Sequence, residues 1–134
     1  MTSLKSRLTL VVVLLVVNVW TALSQPTRSV WDGVYTEEQA ARGETVFKTS
    51  CSGCHDPADF TSDTFLGTWE ASTAQDLFSV LQKTMPMDNP GSLPPQNYAD
   101  VLAYFFRANA FPPGKDELSI VADQLKLIRI ERKK

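Results

Sequence analysis

The feature that most limits what this chain can be is five residues long: Cys51-Ser52-Gly53-Cys54-His55. It holds both cysteines and the sole histidine of the 134-residue sequence. Two sulfurs three positions apart on one turn can each form a thioether with a vinyl group of a haem. The histidine that follows then falls under the iron as its proximal nitrogen ligand. Gly53 lets the backbone pass close to the macrocycle. Three other readings compete. Two cysteines in an exported chain can close a disulfide. Cys-x-x-Cys can be a thioredoxin-like redox pair, but no βαβ pattern surrounds it. Zinc asks for four ligands, more than this cluster offers. The motif therefore predicts one haem c per chain, attached through Cys51 and Cys54, with His55 on the iron.

The N-terminus agrees with that chemistry, because haem c attachment belongs to an extracytoplasmic compartment. Lys5 and Arg7 precede an apolar run from Leu8 to Val17, broken only by Thr9, and Ala22-Leu23-Ser24-Gln25 places small residues where a signal peptidase reads them. The run is about 16 residues, short of the ~20 that a spanning helix needs. Residues 1–24 are expected to be a cleaved signal peptide, and the product periplasmic or secreted. An uncleaved anchor is the alternative, and it would be the chain's only membrane link. Cleavage leaves about 110 residues, enough for one domain, and takes the net charge from −2 to about −4. A mildly acidic domain is a poor nucleic-acid binder.

The remainder divides into a leader over 25–34, a domain over 35–114 and an extension over 115–134. Thr36 is an N-cap, with Gln39 placed to complete a capping box and Glu37 and Glu38 in the first turn. Ala40, Gly43, Val46 and Phe47 recur at helical spacing, so a first helix runs to about Ser50 and delivers the chain into Cys51. Residues 56–69 read as loop and short turns, anchored by Phe60, Phe65 and Trp69. A second helix follows from a Ser72 or Thr73 cap through about Thr84. Pro86, Pro90, Pro94 and Pro95 then prevent a continuous helix. A third helix spans about Gln96 to Ala108, with Asn109 as a left-handed stop before Pro112. In the extension, Ile120, Val121, Leu125, Ile128 and Ile130 suit a short helix followed by a strap over the core. The domain is all-α.

A proximal histidine leaves one axial position on the iron, and no second histidine exists to fill it. Met85 and Met87 lie about thirty residues downstream, in the proline-rich stretch, and a thioether there suits electron transfer. Met85 is preferred because Pro86 fixes the local direction; Met87 is the alternative. Either could instead be loop packing. With no distal histidine or acid–base partner, a peroxidase reading is weak.

These residues resemble class I c-type cytochromes over nearly all of Tyr35 to Gly114. The resemblance implies three main helices around one covalently attached haem, with Gly43 and Phe47 packing on Val101 and Tyr104 where the terminal helices cross. The stretch from Thr84 to Leu93 and the ending Asn109-Ala110-Phe111-Pro112-Pro113-Gly114 are similar to the mono-haem cytochromes associated with quinoprotein (PQQ-dependent) alcohol dehydrogenases. There the methionine before proline is the iron ligand, which again favours Met85. Pro94 departs from the pattern, since a serine-like cap would be expected before the last helix. Trp69 and Trp31 each carry an indole N–H that could meet a haem propionate, though both also read as core aromatics. The implied function is one-electron transfer, not enzymatic turnover. The implied partners are redox proteins: a periplasmic quinoprotein dehydrogenase as donor and an oxidase or another cytochrome as acceptor. A cytochrome subunit docked permanently on such a dehydrogenase is the second possibility.

Overall fold

The computed structural model describes residues 26–133. The expected signal peptide, residues 1–24, lies outside the described residues. Among those residues no helix is long and apolar enough to cross a membrane. The order is β1 (Arg28–Ser29), a 3-10 turn (Val30–Asp32), α1 (Glu37–Ser50), a second 3-10 turn (Pro57–Phe60), α2 (Asp63–Trp69), α3 (Ala74–Thr84), α4 (Pro95–Ala108), α5 (Ala122–Leu125) and β2 (Ile128–Arg129).

Local chemistry explains where the helices start. The Thr36 hydroxyl accepts from the Gln39 N–H at 3.1 Å and opens α1. The expected second half of that capping box does not form. Gln39 is fully buried, and its amide instead donates to the Leu118 carbonyl at 3.0 Å and accepts from the Leu118 N–H at 2.6 Å. A buried amide must satisfy both its donor and its acceptor, and the C-terminal strap offers both. Thr73 and Asp76 do form a reciprocal box at the start of α3. The α4 helix begins at Pro95 with no side-chain cap from Pro94, as the sequence implied; its proline at N1 is preset for helix.

Two further expectations need correction. Residues 63–69 form a seven-residue helix, capped by the Ser62 hydroxyl, where loop and turns were expected. Asn109 is not the left-handed residue. Its φ is −89°, and the reversal falls on Ala110 at φ 59°. The Asn109 amide donates to the Phe105 and Phe60 carbonyls at 2.8 and 2.7 Å, which holds it in register with the helix it ends.

The core forms where α1 crosses α4. A Cβ on Gly43 would sit 1.8 Å from the Asp100 carbonyl oxygen, so glycine is required for the two backbones to meet. Phe47 packs beside this contact on Val101 and Phe105, with its ring centroid 5.4 Å from that of Tyr104. Arg42 lies against the same contact and binds the buried Asp100 through two nitrogens, at 3.0 and 3.1 Å.

The two ends of the described chain close the other side. β1 and β2 pair in parallel, with Arg28 opposite Ile128. Ile130 then exchanges backbone hydrogen bonds with the turn before α3, at Ala71 and Ser72. Leu118, Leu125, Ile128 and Ile130 are all buried in the same core as Tyr35, Leu102 and Phe106. Each such burial contributes about 2 kcal/mol. A second close approach, a Gly114 Cβ 1.9 Å from the Gly33 carbonyl, ties the leader to the end of α4's exit loop.

Candidate functional site: the Cys-x-x-Cys-His turn and the methionine arm

The last turn of α1 leads directly into the motif. The Cys51 and Ser52 N–H groups both donate to the Phe47 carbonyl, at 2.9 and 3.0 Å. The Cys54 and His55 N–H groups then both donate to the Cys51 carbonyl, at 3.1 and 3.0 Å. Cys51, Cys54 and His55 are thereby held on one tight bend. Cys51 is half-buried and Cys54 exposed. The His55 ring stands edge-on to Phe60 at 5.4 Å, and Phe60 stacks on Phe105 of α4 at 4.2 Å. Asn109 holds the Phe60 carbonyl, so the surface behind the imidazole is anchored to α4 at two points.

Met85 caps α3 and begins the arm that the sequence singled out. Its N–H donates to the Leu81 carbonyl at 2.9 Å. Its own carbonyl accepts from the Tyr98 hydroxyl at 2.8 Å and from the Gly91 N–H at 3.2 Å. Met85 is half-buried, while Met87 is 77% exposed. Leu81, one turn before Met85, packs against the Phe47–Val101–Phe105 cluster, as do Cys51 and Phe60. One aromatic cluster thus supports both the Cys–His turn and the root of the methionine arm.

The residues fit a haem. Phe60, Phe65, Trp69, Leu81 and Leu93 are large and apolar yet only half-buried, each resting one side on the core. Their open faces suit a flat apolar macrocycle, and thiols, imidazole and thioether are the donor set of haem c. A Cβ on Gly53 would meet no protein atom within 4 Å, so no protein neighbour demands a glycine there. Trp31 is corrected as a propionate donor: its indole N–H is taken by the Glu131 carbonyl at 2.9 Å, because the C-terminal strap lies across it. Trp69 packs half-buried against the core. The sequence did not reveal the hold of Tyr98 on Met85. A phenol facing inward needs a partner for its hydroxyl, which was the signal available.

A helix that runs into a haem-attachment turn, with a methionine arm rooted on the same aromatic cluster and the terminal helices crossing at a glycine, defines the class I c-type cytochromes. Residues 38–105, from the first turn of α1 through the arm to α4, match the family described as "Cytochrome C oxidase, cbb3-type, subunit III", and the chain belongs to that family. No curated protein and no solved structure matches the chain. The cofactor is haem c, and the protein is an electron-transfer protein rather than an enzyme. Bound haem c supplies an iron that gains and loses one electron at a time.

Proposed function

We propose that the chain is an exported mono-haem carrier that moves electrons from a periplasmic quinoprotein dehydrogenase to an oxidase or another cytochrome. In this reading Cys51 and Cys54 hold the haem, His55 and Met85 are its axial ligands, and Trp69 is a candidate propionate donor. The observation that carries the ligand choice is the contrast between the two methionines. Met85 is half-buried and fastened through both its N–H and its carbonyl, while Met87 points largely into solvent. A thioether held in place loses less entropy on ligation and reorganises little between the two iron oxidation states.

A permanently docked cytochrome subunit is the second reading, favoured by the oxidase subunit in the family's description. The extension that docking could have used is largely spent on the chain's own core, through Leu118, Leu125, Ile128 and Ile130. That supports the carrier.

The experiment is to mature the full chain in a host with a cytochrome c assembly system, recover it from the periplasm and read its N-terminus. The oxidised protein is then mixed with a reduced quinoprotein alcohol dehydrogenase at rising salt. The carrier reading expects an N-terminus at Gln25, a monomer, and a reduction rate that changes steeply with salt. No reduction, or purification only within a larger complex, contradicts it.

A further inference from the structure

Tyr98 is only 2% exposed, so its hydroxyl must be satisfied inside the protein. It donates to the Met85 carbonyl at 2.8 Å and accepts, at a longer 3.4 Å, from the Leu93 N–H. Those two residues are the first and last of the nine-residue arm that carries Met85, and one phenol therefore bridges its ends. Between them, Met87 to Ser92 is exposed throughout, and its other backbone hydrogen bonds are made within the arm. The Tyr98 ring is itself fixed. It lies in the first turns of α4 and packs edge-on to Phe78 of α3, with centroids 6.3 Å apart. The hydroxyl thus joins the arm to the rigid pair of helices on either side of it.

We propose that Tyr98 is a positioning residue for the sixth ligand: its hydroxyl, acting on the arm's backbone rather than on sulfur, governs how readily the methionine leaves the iron. This rests on the reading of Met85 as that ligand. For the thioether to move off the iron, the arm must swing; beside the Met85 N–H bond to Leu81 at its root, the two hydrogen bonds that tie its ends to α4 meet on this oxygen. Tyr98→Phe keeps the ring and its packing, and leaves the Met85 carbonyl with the Gly91 N–H alone. One charge-neutral hydrogen bond is worth about a factor of five in an equilibrium, and the variant also loses the longer contact to Leu93, so the combined effect is about tenfold.

The test uses the full-length ferric holoprotein and imidazole as the competing ligand, followed by the change in its absorption spectrum. Tyr35→Phe is the control, because Tyr35 is the other fully buried phenol on the α1 side and its hydroxyl donates to the Phe111 carbonyl at 2.6 Å, away from the arm. Tyr98→Phe should bind imidazole about ten times faster and about ten times tighter than wild type. It should also expose the Gly91 amide to faster hydrogen exchange. Tyr35→Phe should lose thermal stability and leave imidazole binding at the wild-type level. Equal increases in both variants would mean a general loosening of the fold, and no increase in Tyr98→Phe would mean the hydroxyl holds nothing; either result overturns the proposal. Met85→Ala is run alongside. If it keeps the wild-type low-spin spectrum, the ligand reading itself fails and takes this proposal with it. If it turns high-spin while Tyr98→Phe behaves as wild type, only the role of Tyr98 falls.

Discussion

At the α1–α4 crossing, backbone meets backbone: a methyl group on Gly43 would overlap the Asp100 carbonyl, and Arg42 locks the Asp100 carboxylate beside it. At the methionine arm an exposed, proline-rich stretch is instead closed by hydrogen bonds to a single phenol and to its own amides. The first region fixes where the Cys–His turn begins. The second presents Met85, the proposed sixth ligand, from a loop. The difference teaches that the scaffold is held by steric exclusion, which permits no graded loosening. The ligand arm is held by polar contacts of about 1 kcal/mol each, which can be tuned one at a time.

Substitutions can break this contrast in order of size. Gly43→Ala should be the most damaging, costing about 3 kcal/mol or more, because neither backbone can yield without parting the helices. Urea unfolding of the holoprotein would show it, and a near-wild-type midpoint would mean the crossing is softer than its geometry. Arg42→Ala should cost about 2 kcal/mol, since Asp100 keeps only the Gln96 amide and is 3% exposed. Lys at this position should recover part of that loss but not the two-point contact.

Tyr35→Phe should cost about 1 kcal/mol at neutral pH. It also has a signature in alkali. Burial, reinforced by Glu37 nearby, pushes the Tyr35 phenol up to about 12. An unfolded phenol ionises near 10. The folded state therefore holds this proton more tightly. The stabilisation is whole below pH ~10 and drains as the pH rises towards ~12, where the loss has reached about 2 kcal/mol. The wild type should lose stability over that window faster than Tyr35→Phe; parallel curves for the two would show that this phenol is not the group responsible.

Much of this architecture was legible in the sequence, for definite physical reasons. The Thr36 cap and the apolar spacing of the three main helices are local or pattern-borne, and the structure has them where they were expected; of the two candidate caps for α3 it uses Thr73, and the close approach at Gly43 is the one the family resemblance implied. What stayed hidden depends on partners far along the chain. Gln39 completes no capping box because Leu118, 79 residues away, takes its amide. The α2 helix, with Thr64, Gly67 and Thr68, has weak intrinsic propensity. Arg132 reaches it from the C-terminal strap, through the Asp63 carbonyl at 3.1 Å and Glu70 at 3.1 Å. The indole of Trp31 is spoken for by Glu131, a hundred residues on. At the site, the Cys-x-x-Cys-His spacing alone pointed to haem c, whereas the hold of Tyr98 on the arm needed coordinates.

The assignment of the axial ligands stands or falls on one comparison. Wild type, Met85→Ala and Met87→Ala would each be matured with haem, oxidised, and scanned for the weak red absorption band that a methionine sulfur on ferric haem produces. The band should be present in wild type, survive in Met87→Ala and vanish in Met85→Ala, which should turn high-spin. A band that survives in Met85→Ala and disappears in Met87→Ala would move the ligand to the exposed methionine and contradict the assignment made from the fold.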